Sequence, residues 1–501
     1  MADFFKQKRQ KLMTRKIIKL SNLVLLLLFL LTLSCQTFAS KNYRLNHSIN
    51  SSELNANIGV KIVSLTNNKT IFAHNSKRLF MPASALKLFT TAAALHYLGP
   101  SFRFKSEIYT SSVSEDGKDL KNIYLKGYGD PSFSENDLSQ IVARLSQMGV
   151  QKITGNIVVD SSYFDNMPWG KGWMWDDLIH GYSAPISAVN LNNNRIVLRA
   201  TPGFFIKSGA KIAFWPNSQY FTIKNSSQTV AMGENSLKFV LNEPKKVADW
   251  PVADFLGLKK STSIEVLGNI LPSSAAKYKS YAVFDSSYFV GFLLKEKLQQ
   301  ANIKFDGDIK KAATPKKPAT LLIKHESKPL YEIINNINKY SNNHATDCLV
   351  KAIGAYLNPN EPGSFAGGAA GIIKFLGEQV IIPKEEINIF DGSGASRYSL
   401  VSANSLVKLL QYVHNNFEIG PEFIASLPIA GVDGSLSERM TEEPLYKRIR
   451  AKTGTMTSVS TLAGFLTTKN DTYAFAILIN NSTNNQKQLY VLQEKILTSI
   501  L

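Results

Sequence analysis

Ser84 and Lys87 stand three residues apart in FMPASALKLFT, residues 80–90, a stretch that is otherwise largely apolar. A serine hydroxyl is a weak nucleophile until a neighbouring base removes its proton. Residues three apart share a helix face, so the lysine amine can lie beside the serine oxygen. Apolar surroundings disfavour an ammonium and lower its pKa, which leaves a neutral amine able to act as general base. A place near a helix N-terminus also favours the negative charge that develops at the oxygen. The pair reads as an activated nucleophile.

The spacing alone is common: Ser208/Lys211, Ser274/Lys277 and Ser405/Lys408 repeat it. Only Ser84 follows a proline that opens an apolar helix. Two later segments strengthen the reading. SNN at Ser341–Asn343 lies between helical stretches and offers a hydroxyl and an amide for proton relay and substrate binding. KTG at Lys452–Gly454 ends a β-like run, where Lys452 can supply positive charge and Gly454 leaves room for a substrate strand at the sheet edge. A Lys-Ser-Gly at 207–209 precedes any Ser-x-Asn and does not fit the order. Ser-x-x-Lys, Ser-x-Asn and Lys-Thr-Gly in this order form the signature of β-lactamases and penicillin-binding proteins.

The elements that must position these residues are legible in outline. GVKIVSLTNNKTIFAH alternates apolar and polar residues around Asn67 and Asn68, which predicts a β-hairpin. Pro82 suits a first helical turn, and 83–98 has helix-forming composition. Residues 103–280 carry short β-like runs and Trp169, Trp173 and Trp175, and read as one or two inserted β-rich modules. Helical patterning resumes at 282–303 and continues to the Gly-rich DGSGASR, residues 391–397. Strand-like runs and a last helix from Lys487 to Leu501, expected to pack on the sheet, close the chain. The expected organisation is a signal peptide at 1–39, a catalytic domain formed by 57–102 and 281–501, and the insertion between them. One sheet built from both ends of the chain, with helices on each face, follows.

The chain resembles the class C penicillin-binding proteins, the D-alanyl-D-alanine carboxypeptidase/endopeptidases of peptidase family S13. Besides the three motifs, MPASALK, GYGDPSFS, ITGNIVVDSSYFD, GWMWDDL, YSAPISAV, DGSGASR, LPIAGVDGSL and RAKTGTM carry the resemblance, from about residue 57 to the C-terminus. It implies an α/β (α+β) serine β-lactamase/DD-peptidase-like transpeptidase fold, an antiparallel sheet flanked by helices with a β-rich insertion. Ser84 would be acylated while Lys87 takes its proton, Ser341 and Asn343 would complete the relay, and Lys452 and Thr453 would meet the substrate's terminal carboxylate. The amides of Ser84 and Thr455 would form an oxyanion hole. The resemblance also assigns Asp177 and Arg397 to a clamp on the free end of a meso-diaminopimelate side chain, with Met456 as an apolar wall. Asp177 as a helix cap, Arg397 in a structural ion pair and Met456 as plain packing are the structural alternatives. The implied partners are peptidoglycan stem peptides and cross-links and β-lactam antibiotics, with no metal or organic cofactor. Two departures stand out: His344, where an apolar residue is expected and packing or surface is the reading, and a competing Tyr-Ser-Asn at 340–342.

Composition bounds the alternatives. The 501 residues are 44% hydrophobic, enough for two or three domains with a large core. Seven basic residues before the apolar run at 23–33 read as a secretory leader, with export to the periplasm and a mature start near Ser40; Cys35 as a lipid-bearing N-terminus is the rival. Losing residues 1–39 removes seven bases and one acid, lowering the formal net charge from +19 to +13. That surplus suits anionic envelope polymers or lipid headgroups, hence possible peripheral membrane contact. Nucleic acid is disfavoured, since there is no zinc spacing and no basic helix. Cys348 is the one cysteine beyond Cys35, so the mature chain is expected to hold no internal disulfide. The seven histidines are scattered without metal-ligand spacing, and no Gly-x-Ser-x-Gly elbow occurs. A β-lactamase or esterase on the same fold and a non-catalytic peptidoglycan-binding protein remain as alternatives.

Overall fold

A computed structural model describes residues 43–51, 54–242, 262–315 and 319–501. The expected signal peptide and Cys35 lie outside the described residues. No helix among the described residues is long and apolar enough to cross a membrane.

The hairpin expected around Asn67 and Asn68 is present: Asn57–Ser64 pairs antiparallel with Thr70–His74, and Asn68 takes a left-handed φ of 57°. The hairpin joins three strands from the other end of the chain. The sheet order is Ile449–Met456, Val459–Thr467, Thr472–Asn480, Asn57–Ser64, Thr70–His74, antiparallel throughout. Val459–Thr467 and Thr472–Asn480 are almost wholly buried, as their continuous apolar runs require of strands covered on both faces. The C-terminal helix Gln486–Thr498 covers one face, burying Leu489, Leu492, Ile496 and Leu497. The helix Ala403–Asn415 covers the other, and the helix Lys87–Leu98 lies among it and the helices Leu330–Tyr340, Asn343–Leu357 and Phe365–Glu378. Residues 87–95 are buried on every side, so Lys87–Leu98 is a central helix rather than a surface one.

The edge strand Ile449–Met456 is half covered. Ala430 N donates to Ile449 O and Ala451 N to Pro428 O, at 3.0 Å each, so residues 428–430 close its first part. The remainder, from Lys452 onward, adjoins the turn that carries Ser84.

The pairings carry the insertion beyond its expected end at 280. Its larger sheet runs Ile309–Lys311, Ile157–Asp160, Ile123–Gly127, Lys105–Thr110, Thr320–Glu326. The helix Ser286–Gln300, placed by its sequence position in the catalytic part, packs instead on Ile157–Asp160 and on the helix Glu135–Gln147. Apolar periodicity gives a helix's buried face but not the layer that buries it. A smaller unit follows, with Arg195–Thr201 between Lys211–Trp215 and Lys277–Ala282, and Thr262–Ile270 between Phe221–Thr229 and Lys238–Asn242.

Candidate active site

The chain enters the site through a strained turn. Ala83 is buried at a left-handed φ of 46°, and Ala83–Leu86 forms a 3₁₀ turn before the α-helix begins at Lys87. The sequence predicts helix from residue 83, and the tighter turn changes the geometry usefully. At three residues per turn, positions i and i+3 eclipse, so Lys87 stands directly over Ser84. Lys87 Nζ lies 2.8 Å from Ser84 Oγ.

Gly454 and Gly394 let this turn seat itself. A Cβ on Gly454 would lie 2.8 Å from Pro82 O and 2.9 Å from Ser84 N; one on Gly394 would lie 1.9 Å from Ala83 O. The space beside Gly454 is therefore filled by the turn that carries Ser84. The sequence reading gave this glycine to a substrate strand pairing at the sheet edge; on the face above it the turn itself is what requires glycine. The hydroxyl of Thr461 donates to Pro82 O at 2.8 Å and ties the turn to the next strand of the sheet.

Lys87 has no exposed surface. Its Nζ also lies 2.7 Å from Asn343 Oδ1 and 2.8 Å from Ser393 O. Burial pulls its pKa down to about 7, against the opposing pull of Asp347 and then Asp391. Near neutral pH the amine is therefore balanced between base and acid, and it touches the hydroxyl it would deprotonate.

Ser341 reaches the same place from the helix Leu330–Tyr340, whose C-cap it forms at φ 58°. Lys452 Nζ donates to Ser341 Oγ at 3.0 Å and to Thr453 O at 2.8 Å. Lys452 is fully buried, and burial followed by the charge of Lys87 holds its amine well below the lysine range. Its positive charge thus depends on what enters the cleft, since an arriving carboxylate would favour the ammonium. Thr453 Oγ1 donates to Ser435 Oγ at 2.7 Å.

The competing Tyr-Ser-Asn is disposed otherwise. Tyr340 is 71% exposed, and Asn342 caps the helix Asn343–Leu357 by accepting from Ala345 N. His344 is buried in packing, with Nδ1 3.9 Å from Cys348 Sγ. The other Ser-x-x-Lys pairs have different partners: Ser208 Oγ donates to Phe205 O, Ser274 Oγ accepts from Asn235 Nδ2 and Ser405 Oγ donates to Ser402 O.

A cleft of about 190 Å³ opens over Ser84 and is also lined by Asn343, Thr455, Met456, Asp177 and Arg397. The last two reach it from distant parts of the chain through one docking seam. Trp173 Nε1 donates to Asp391 Oδ2 at 3.1 Å, Ser396 Oγ to Lys171 O at 2.6 Å, and Arg397 N to Gly172 O at 3.1 Å. These bonds fasten inserted residues 171–173 to the Gly-rich turn. Asp177 Oδ1 accepts from Tyr182 OH at 2.5 Å and caps no helix. Arg397 Nη1 makes one long contact, 3.5 Å to Thr457 O. Among the described residues neither Asp177 nor Arg397 enters an ion pair, so the rim offers one anionic and one cationic group. Met456 is half-buried in the same wall.

Sequence reasoning missed Asp347 and Asp391, both fully buried. Asp347 Oδ1 accepts from Gly392 N at 2.7 Å and Ser393 N at 3.2 Å. Asp391 accepts from Ser393, Ser396, Ser399 and Trp173. Together they shape the backbone whose Ser393 carbonyl meets Lys87. The available signal was an acid four residues after Asn343, on the same face of the helix.

No group of three or more metal-ligating side chains occurs among the described residues. The D-alanyl-D-alanine carboxypeptidase DacB of Haemophilus influenzae is 29% identical over 438 residues, covering 85% of this chain and 85% of that protein. The crystal structure of penicillin binding protein 4 (dacB) from the same organism superposes with a TM-score of 0.73 at 26% identity, covering 88% of this chain and 95% of that one. Its complex with a novel β-lactam gives 0.70 at 25% identity, with the same coverages. Motifs, geometry and relatives converge, and the chain belongs to the D-Ala-D-Ala carboxypeptidase 3 (S13) family, whose profile it matches over residues 42–496.

Proposed function

We propose that this chain is a serine D-alanyl-D-alanine carboxypeptidase that also cuts D-alanyl-diaminopimelate cross-links, acts outside the cytoplasmic membrane through an acyl-enzyme, and is blocked by β-lactams. The observation that carries the reading is a fully buried Lys87, with its pKa near 7, 2.8 Å from Ser84 Oγ. Lys87 takes the Ser84 proton as Oγ attacks the penultimate D-alanine carbonyl. The amides of Ser84 and Thr455 receive the oxyanion. The C–N bond breaks, and the terminal amine leaves with a proton returned through Lys87 or the Ser341–Lys452 pair. Water then attacks the ester by the same route and frees Ser84. Asn343 holds the substrate amide, and Lys452 and Thr453 hold the terminal carboxylate.

Asp177 and Arg397 fit the two ends of an amino-acid zwitterion, the carboxylate facing an ammonium and the guanidinium a carboxylate. A meso-diaminopimelate side chain ends in that pair of charges. A β-lactamase has no use for such a rim, which favours the peptidase reading.

Intact-protein mass spectrometry after incubation with benzylpenicillin tests the proposal. A lasting adduct that Ser84→Ala abolishes supports it. Rapid drug hydrolysis without an adduct would favour a β-lactamase, and neither outcome a binding protein. Asp177→Ala should lower turnover of diaminopimelate peptides far more than β-lactam acylation, and equal losses would sink the clamp.

A further inference from the structure

The smaller inserted unit ends in a cluster of large apolar side chains turned to solvent. Phe204 and Phe205 are each 78% exposed, Ile206 48% and Met232 87%. Burying such groups is what ordinarily stabilises a fold, and isolated exceptions need no account. Here three are consecutive and the fourth joins them through pairing. Lys207 N donates to Thr229 O at 2.7 Å, Thr229 N to Ser208 O at 2.7 Å and Val230 N to Ile270 O at 3.0 Å. The turn at 203–208 and the segment after Thr229 therefore share one end of the unit.

The turn is built rather than slack. Ser208 Oγ donates to Phe205 O at 2.6 Å and accepts from Phe205 N at 3.2 Å, while Gly203 N donates to Thr229 Oγ1 at 2.8 Å. Lys207 takes a left-handed φ of 71° to close it. Several of its amides are already satisfied, so moving it into an apolar medium leaves those groups paired. Its aromatic residues are held outward before any partner arrives, which reduces the ordering cost of binding.

Charge surrounds the cluster. Lys207, Lys211 and Lys238 are exposed at the same end, where Lys211 pairs with Thr201, while Lys277, which pairs with Ala200, turns its ammonium onto Leu237 O; Glu234 is the acid nearby in sequence. Lys211 Nζ sits 3.1 Å from the centroid of the Phe204 ring. Aromatic and aliphatic side chains flanked by lysines suit a bilayer interface, where rings enter the acyl boundary and ammonium groups stay with lipid phosphates.

We propose that the Phe204–Ile206 turn, with Met232 and the surrounding lysines, is an interfacial anchor that docks the protein on a bilayer carrying anionic lipid. The strand Arg195–Thr201 runs from the Asp177–Tyr182 rim, where His180 bridges to Tyr281 and Tyr281 pairs with Ile196, out to this tip. Seven residues of strand span roughly 20 Å, so docking at the tip holds the cleft clear of the lipid surface.

Co-sedimentation with vesicles of phosphatidylglycerol and phosphatidylcholine, and with phosphatidylcholine alone, tests this on the protein as processed by an exporting cell. Phe204→Ser with Phe205→Ser should weaken binding to the anionic vesicles at least about tenfold. Lys211→Glu with Lys238→Glu should weaken it too, and binding of the parent should fall with added salt. Benzylpenicillin acylation at the parent's rate shows that each variant is folded. Parent and phenylalanine variant binding alike, or neither binding, would overturn the proposal. So would self-association in sedimentation velocity that only the parent shows without vesicle binding, since the tip would then face a second copy.

Discussion

Replacing Asp347 by asparagine should make acylation faster near neutral pH, although it removes a buried charge from beneath Ser84. Asp347 and Lys87 are linked through one residue, since Ser393 N donates to Asp347 Oδ1 at 3.2 Å and Ser393 O receives Lys87 Nζ at 2.8 Å. Acting across that one-residue link at an effective dielectric of about 20, a full negative charge favours the Lys87 ammonium by on the order of 2 kcal/mol. Asp347 supplies only part of that, because burial and then the Asp391 charge push its own pKa up to about 7. About half the charge is present at neutral pH, and roughly 1 kcal/mol remains, which corresponds to somewhat less than one pH unit.

The sign follows from which form of Lys87 reacts. The neutral amine is the base, and the carboxylate stabilises the ammonium, so removing it lowers the Lys87 pKa further below about 7. The upper part of the acid limb should move down, raising the rate at pH 7 about twofold, with the gain fading by pH 6 as Asp347 itself takes up a proton and the plateau above pH 8 nearly unchanged. Asparagine keeps Oδ1 as acceptor for Gly392 N and Ser393 N. The assay is the second-order rate of labelling by a fluorescent penicillin from pH 5 to pH 9. A limb that stays put or moves up would refute the electrostatic argument. A plateau that drops more than about tenfold would show instead that Asp347 acts by holding the 392–393 backbone.

Gly454→Ala places a methyl group against two backbone atoms that cannot swing aside, so it should cost about 1–3 kcal/mol in denaturant unfolding and at least about tenfold in acylation; an unaltered rate would mean the turn has slack. His344→Leu should flatten the acid side of the stability profile. Burial, then the Arg195 charge, holds His344 down to about 3 from 6.5, so between those values the unfolded chain binds a proton that the native state refuses. Stability is therefore present above about pH 6.5 and lost as pH falls through the window. Melting temperatures from pH 7 to pH 4.5 that fall equally in parent and variant would rule His344 out as the cause.

What the sequence allowed to be read follows from the range of each interaction. Ser84 and Lys87 were legible because their contact is local, and the hairpin at Asn67 and Asn68 because turn and alternation are local too. Ser341, Asn343 and Lys452 were found through motif order, since nothing within a few residues of each says that they meet. Three features were out of reach. The purpose of Gly454 depends on Pro82 and Ser84, some 370 residues away. Asp347 and Asp391 look like ordinary acids until their burial beside one backbone turn is known. The helix Ser286–Gln300 shows its apolar face in the sequence, but not that strands at 309–326 follow it into the inserted sheet.

The two halves of the site are held by different means, and this bears on how the enzyme separates its ligands. Ser84, Lys87, Asn343 and Ser393 are fixed by a strained turn wedged between two glycines and by a fully buried lysine. Any ligand that presents an activated carbonyl there, a β-lactam included, needs only this half. Asp177 and Arg397 stand on the seam between the insertion and the Gly-rich turn, where the bonds from Trp173, Ser396 and Arg397 set their relative position. In the proposed clamp, peptide side chains would engage this second half, and their binding energy could be spent on orienting the scissile bond over Ser84. Changes along the seam therefore act on peptides and leave small acylating agents largely untouched. The insertion contributes one wall of the cleft, so on the proposed clamp it would form part of the specificity apparatus.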